Sequence, residues 1–177
     1  MNSYKIIKYT SEHYQMWNNF VAQAKNATFL FHRDFMEYHS DRFEDYSLLV
    51  FDEKENLKAI FPANISENKL FSHHGLTYGG IVIDASLKLE KFIAIYAEIL
   101  HFLNENKIQI INFKLIPSIY CSQPSEEIKY ALFLSEAKLT RRDALVTVDL
   151  QSQFKIDSNR IEGVKRAEKL GLKIKKE

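Results

Sequence analysis

Cysteine is almost missing from this chain. Cys121 is alone among 177 residues, so no disulfide can form within the chain, which fits a reducing compartment. An excess of charge of either sign is missing too. Lys and Arg number 24 against 23 Asp and Glu, a formal net charge of +1, which argues against a general electrostatic grip on nucleic acid. No apolar run approaches the ~20 residues that span a bilayer. The opening Met1-Asn-Ser-Tyr-Lys-Ile-Ile-Lys8 lacks the basic-then-apolar layout of a secretory signal. Internal repeats and low-complexity stretches are absent as well. The expectation is a soluble cytoplasmic protein.

What is present is enough for a core. Hydrophobic residues make up 46% of the chain and aromatics 13%, which excludes a disordered polymer. The length allows one domain of ordinary size, or one domain and part of another. Lys165, Arg166, Lys169, Lys173, Lys175 and Lys176 make the C-terminal end basic. Such a run reads first as a solvated face and only second as a phosphate or membrane contact.

Periodicity predicts a strand over residues 4–9 and a helix capped by Thr10 or Ser11 that buries Tyr14, Trp17, Phe20, Val21 and Ala24. A second helix is expected over 33–43. Strands over 46–51, 57–65 and 69–73, joined by polar turns, predict an antiparallel meander. A glycine-bearing loop, His74-Gly-Leu-Thr-Tyr-Gly-Gly80, leads into Ile81-Val-Ile83. The 87–107 stretch is the clearest helix, with Phe92, Tyr96, Ile99, Leu100 and Leu103 on one face. A buried strand over 108–116, a helix over 126–136, a strand over 144–150 and a helix over 160–170 stopped by Gly171 complete the order. The expected fold class is α/β (α+β), a mixed and largely antiparallel sheet flanked by helices. Residues 172–177 alternate like a strand that nothing follows, an unstable way to end a fold. Residues 1–150 are therefore expected to form one module, and 151–177 the opening of a second.

Several side chains invite a chemical reading. His73, His74, Thr77 and Tyr78 sit in one glycine-bearing loop at the end of the meander. They have the groups to orient a hydroxyl or amine, and a histidine titrates near neutrality as a base must. The competing reading is that the glycines only permit unusual dihedrals while Tyr78 and one histidine pack the loop. Lys114, close to Pro117 and Tyr120, is costly on a central strand unless its end reaches water or a partner. Arg42, with Arg33, Tyr38 and His39, could clamp a carboxylate or phosphate. The plainer alternative pairs Arg42 with Asp41, Glu44 or Asp45 at the surface. Arg141-Arg-Asp143 reads as a structural ion pair. His32, Asp34 and His39 do not share one helical face and are not expected to hold a metal. Cys121 has no evident base partner and reads as an incidental thiol.

The order of elements resembles the acyltransferase fold of the GNAT superfamily. More narrowly, the chain resembles the first half of the FemAB-like proteins, tandem-GNAT enzymes related to the aminoacyltransferases that build peptidoglycan cross-bridges. The residues carrying the resemblance run in order along nearly the whole chain. They include Trp17-Asn-Asn-Phe20, Asn26-Ala-Thr-Phe-Leu-Phe-His-Arg33, Tyr38-His-Ser-Asp-Arg-Phe43 and Ala59-Ile-Phe-Pro-Ala-Asn64. Ser72-His-His-Gly-Leu-Thr-Tyr-Gly-Gly80, Lys114-Leu-Ile-Pro-Ser-Ile-Tyr120, Arg141-Arg-Asp143 and the 160–171 stretch continue it. In that family a stretch like 160–171 is the helix that opens the second half.

The resemblance implies that this half shapes the acceptor side of an acyl or aminoacyl transfer, with most of the donor site in a second half. The implied donor is an acyl-CoA or an aminoacyl-tRNA. The implied acceptor is a cell-wall or surface-polysaccharide precursor, such as a small-molecule or lipid- or nucleotide-linked glycan. His73, His74, Thr77, Tyr78, Lys114, Tyr120 and Arg42 would line its cleft. A GNAT domain holds pyrophosphate on Arg/Gln-x-x-Gly-x-Gly/Ala at a helix start. Arg160-Ile-Glu-Gly163-Val-Lys165 follows that pattern except at its last position, and it falls inside a helix pattern. No cofactor site is evident in the chain itself. Two other expectations stand beside the enzyme: a non-catalytic binding module for a glycan or peptide precursor or a protein partner, and a homodimer joined through the C-terminal strand.

Overall fold

The computed structural model describes residues 4–38, 40–151 and 155–175. Contacts divide the chain into two compact units, Met1–Lys138 and Leu139–Glu177.

Two small sheets organise the first unit. β1 (Lys5–Lys8), β3 (Leu48–Phe51), β4 (Leu57–Phe61) and β7 (Val82–Ile83) form one, in the order β1-β3-β4-β7 and antiparallel throughout. β2 (Glu44–Asp45), β5 (Asn64–Ser66), β6 (Lys69–Phe71) and β8 (Ile110–Asn112) form the other, with β6 and β8 parallel. Pro62 explains why the strand expected over 57–65 is divided between them. Proline has no N–H to give a ladder, so the strand breaks there. Ala63 instead accepts from the backbone of Tyr46 at 2.9 Å, and its own N–H reaches Ser47 Oγ at 3.2 Å.

β3 is covered on both faces, which is why it is apolar at every position. Leu48 and Val50 join a core with Phe61, Leu70, Ile83, Phe92, Ile95, Ile99 and Ile128. Leu49 and Phe51 join a second with Trp17, Val21, Leu30, Phe31, Met36 and Val82. Helix α3 (Leu89–Glu105) and helix α4 (Glu127–Leu134) serve the first core, and helix α1 (Tyr14–Gln23) the second. A one-residue register slip would exchange the apolar sets of the two cores, so register rests on side-chain fit rather than on an apolar–polar alternation.

Other expectations change as well. The helix expected over 33–43 is only α2 (Arg33–Glu37), because Ser40 and Asp41 favour local turn bonds over a helix interior. Residue 39 lies outside the described residues. The buried strand expected over 108–116 is the short β8, exposed at Ile110 and Asn112. Residues 144–150 carry strand-like alternation but form no strand.

The second unit contains one helix, α5 (Ser158–Lys169), among its described residues. Asp157 caps it by accepting from Asn159 N at 2.8 Å, and Gly171, at φ +72°, follows its last turn. The strand expected over 172–177 is absent from residues 172–175; residues 176 and 177 lie outside the described residues.

Candidate functional site

The loop after β6 is built against the chain that follows β8. Ser72 Oγ accepts the backbone N–H of Lys114 at 2.7 Å. Gly79 N donates to Lys114 O at 2.6 Å, and Gly79 bridges to Leu115 in parallel. A Cβ at residue 79 would fall on the carbonyl oxygen of Ser72, so glycine is required for this close approach. Gly80 (φ +107°) turns the chain into β7. His73 adopts φ +68°, unusual for a non-glycine residue, and is buried.

This scaffold brings most of the residues expected at the site together. The amide of His74 is fixed by Asn64 Oδ1 at 2.7 Å. Its ring stacks on Phe71 with centroids 3.6 Å apart, and Phe43 packs against His73 and His74 at 5.8 and 6.2 Å. Lys114 sends its ammonium to Leu76 O and, at 3.4 Å, to His74 O, latching the loop. Desolvation by the surrounding rings, then the Lys114 charge, pulls the His74 pKa below its ordinary 6.5. The imidazole is therefore neutral at pH 7 and its free ring nitrogen can accept a proton or a hydrogen bond.

A separate pair from the same loop and the chain after β8, Tyr78 and Tyr120, stacks with centroids 5.4 Å apart at 26°. Tyr78 also packs edge-on to Phe31, and its hydroxyl donates to Thr28 Oγ1 at 3.2 Å. Tyr120 stays 44% exposed, so it can be reached from solvent. Thr77 is exposed at the loop tip. Arg42 lies next to Phe43, and its guanidinium is 3.7 Å from Asp41 with a largely exposed side chain, as the surface alternative expects.

Other candidates are placed elsewhere. Arg33 is buried, ion-paired with Asp45 and, at 3.1 Å, with Glu37, and lies 3.6 Å above the Tyr9 ring. That charge is already satisfied and is a brace rather than an open clamp. Gly163 and Lys165 lie inside α5, where their N–H groups belong to the helix ladder, and Arg160 in its first turn gives its N–H to Asp157 O at 3.0 Å, so the superficial pyrophosphate motif offers no free N–H groups. Arg141 pairs with Asp143 at 2.9 Å. The Cys121 thiol is pushed up, mainly by burial and then by Glu126, which disfavours the thiolate. Among the described residues no group of three or more His, Cys, Asp or Glu is arranged to hold a metal, and no helix is long and apolar enough to cross a membrane.

Sequence reasoning missed Asn64, Ser72 and Phe43. A lone asparagine and a lone serine beside apolar strand segments were the available signal, since buried polar groups have to be hydrogen-bonded. No protein-family model matches the chain, and no curated protein matches it by sequence.

Proposed function

We propose that this chain supplies the acceptor side of a FemAB-like acyl or aminoacyl transfer acting in the cytoplasm on a cell-wall or surface-polysaccharide precursor. The observation that carries the reading is the convergence of His74, Thr77, Tyr78, Lys114 and Tyr120 around one latched loop. The mixed α/β fold is compatible with the GNAT resemblance.

In this reading an acceptor amine or hydroxyl attacks the carbonyl carbon of an activated acyl group, and the donor's carrier leaves with the bonding electrons. The loop contributes position. The solvent-reachable Tyr120 supports an apolar or sugar-ring surface, Thr77 offers a hydroxyl, and neutral His74 takes the proton that the nucleophile loses. The donor, an acyl-CoA or an aminoacyl-tRNA, is held by residues outside this site.

One observation favours a second reading, a non-catalytic binding module. The Lys114 ammonium is committed to the carbonyls of Leu76 and His74, which makes it a structural latch. Two measurements on residues 1–177 separate these readings. Binding of a lipid- or nucleotide-linked glycan precursor should weaken about tenfold in His74→Ala and in Tyr120→Ala, with unchanged far-UV circular dichroism. Unaltered binding in both variants would remove the loop from acceptor recognition. Turnover with acetyl-CoA or aminoacyl-tRNA should be negligible in this chain alone; robust transfer would place the donor site within it.

A further inference from the structure

Helix α4 is apolar on more than one side. Ile128 and Ala131 are buried in the core that α3 also serves. Tyr130, Phe133 and Leu134, spaced i, i+3, i+4, share a second face and stay 47%, 75% and 52% exposed. The Tyr130 and Phe133 rings stack with centroids 6.4 Å apart. Single exposed apolar side chains are ordinary, but three large ones grouped on one short helix mark a contact surface.

A groove runs between α3 and α4. Ile93, Ala97 and Leu100 line it from α3 and Leu134 from α4, so Leu134 belongs both to the groove and to the exposed face. The polar side chains at its wall are satisfied within the chain. The Tyr96 and Ser135 hydroxyls are 3.0 Å apart, and Ser135 Oγ donates to Ala131 O at 3.0 Å. The groove holds about 140 Å³, and an apolar cavity of about 150 Å³ takes one benzene ring. The charges of α4 are matched already: Lys129 pairs with Glu126 at 2.8 Å, and Glu127 with Lys25. A second copy approaching this helix meets no unmatched charge on it.

We infer that this face joins two copies of the chain about a two-fold axis, the Phe133 ring of each entering the α3–α4 groove of the other. A two-fold interface needs one patch that is complementary to itself. Here a projecting ring and a ring-sized apolar groove lie on the same pair of helices. The exposed parts of Tyr130, Phe133 and Leu134 come to roughly 300 Å² per copy, taking ~200 Å² for a whole aromatic side chain. With the walls and rim of the groove, two copies bury about 1,000 Å² in total, the floor for a specific interface, so a dimer that dissociates in the micromolar range is expected. The contact runs through α4 and not through a C-terminal strand.

The inference does not depend on the transferase reading. Sedimentation velocity on residues 1–177, from about 1 to about 200 μM, tests it without any assay of transfer. The average mass should rise with concentration from that of one chain towards that of two. Phe133→Gln on α4 and Ala97→Glu on α3 should each raise the dissociation constant at least about tenfold. Both positions are exposed and both new residues favour helix, so folding should be unaffected. Phe29→Ser removes a ring of similar exposure, 66%, outside this face and should leave association unchanged. In a mixture of labelled and unlabelled chains, nuclear Overhauser contacts should connect Phe133 of one copy with Leu100 of the other. The mass of a single chain at every concentration would overturn the inference. So would a dimer indifferent to Phe133→Gln, which uses another surface, or one weakened equally by Phe29→Ser, which is unspecific apolar association. Weakening by Phe133→Gln with none by Ala97→Glu would overturn insertion into the groove.

Discussion

β3 and residues 145–150 resemble each other as sequence and differ as structure. Leu48-Leu-Val-Phe51 and Leu145-Val-Thr-Val-Asp-Leu150 are both short and rich in apolar residues. Leu48, Leu49 and Val50 have no exposed surface and pair with β1 on one side and β4 on the other. Leu145, Val146, Val148 and Leu150 are 56–95% exposed and belong to no ladder. An apolar pattern specifies which face of a segment wants cover; it does not provide the cover. β3 has hairpin neighbours set by the Asp52–Asn56 turn and two helical layers that arrive from distant sequence. Propensity alone does not form a strand without a partner edge, because ladder bonds and cross-strand packing are where strand stability comes from.

The largest test of that contrast is a pair of truncations. Phe61→Ala, which removes a fully buried ring stacked on Phe113 at 5.3 Å, should cost about 3–5 kcal/mol in urea unfolding. Val146→Ala should change stability by less than about 0.5 kcal/mol. Comparable losses in the two variants would mean that residues 145–150 are as deeply packed in solution as β3.

A smaller effect probes the junction that builds the loop. Ser72→Ala removes the acceptor of the Lys114 N–H, a part-buried hydrogen bond. It should cost about 1 kcal/mol, the net worth of one such hydrogen bond, and should loosen residues 73–80 in hydrogen exchange before the sheet. If β3 amides lost protection equally, the loop and sheet would be one cooperative unit.

The smallest effect is the titration of His74. Its folded pKa lies below 6.5, so the neutral ring is favoured by the fold. The unfolded chain binds more protons in the window between the two values. Stability from this group is therefore complete above pH 6.5 and declines as pH falls through the window toward the folded value. Proton NMR should place the His74 midpoint below 6.5, and Lys114→Gln should raise it partway. A midpoint at or above 6.5 would mean that the Phe71 and Phe43 rings do not desolvate the imidazole.

Much of the site was visible in the chain as a cluster of types. His73, His74, Thr77 and Tyr78 lie within six residues, and glycines flank them, so their proximity needed no fold. Lys114 was offered because a lysine on a central strand is costly, and Lys114 with Tyr120 through the family resemblance. The structure supplies the contacts, Lys114 across about 40 residues to the loop carbonyls and Tyr120 onto Tyr78. The role of Lys114 changed with them, from a lining group to a latch. Arg33 changed too. Sequence offered it as a clamp, whereas Asp45, Glu37 and Tyr9 enclose it.

The sequence by itself determined the local elements. Caps, turn residues and periodicity act over a few residues, so α3, α5, the Asp52–Asn56 turn and the break at Pro62 follow from short-range sterics and hydrogen bonding. Tertiary structure alone decided which apolar segments became strands, which charges were enclosed and which side chains share a concavity. Those outcomes depend on contacts between residues far apart in the chain, and burial and the local dielectric are set by everything packed around a group rather than by its neighbours in sequence.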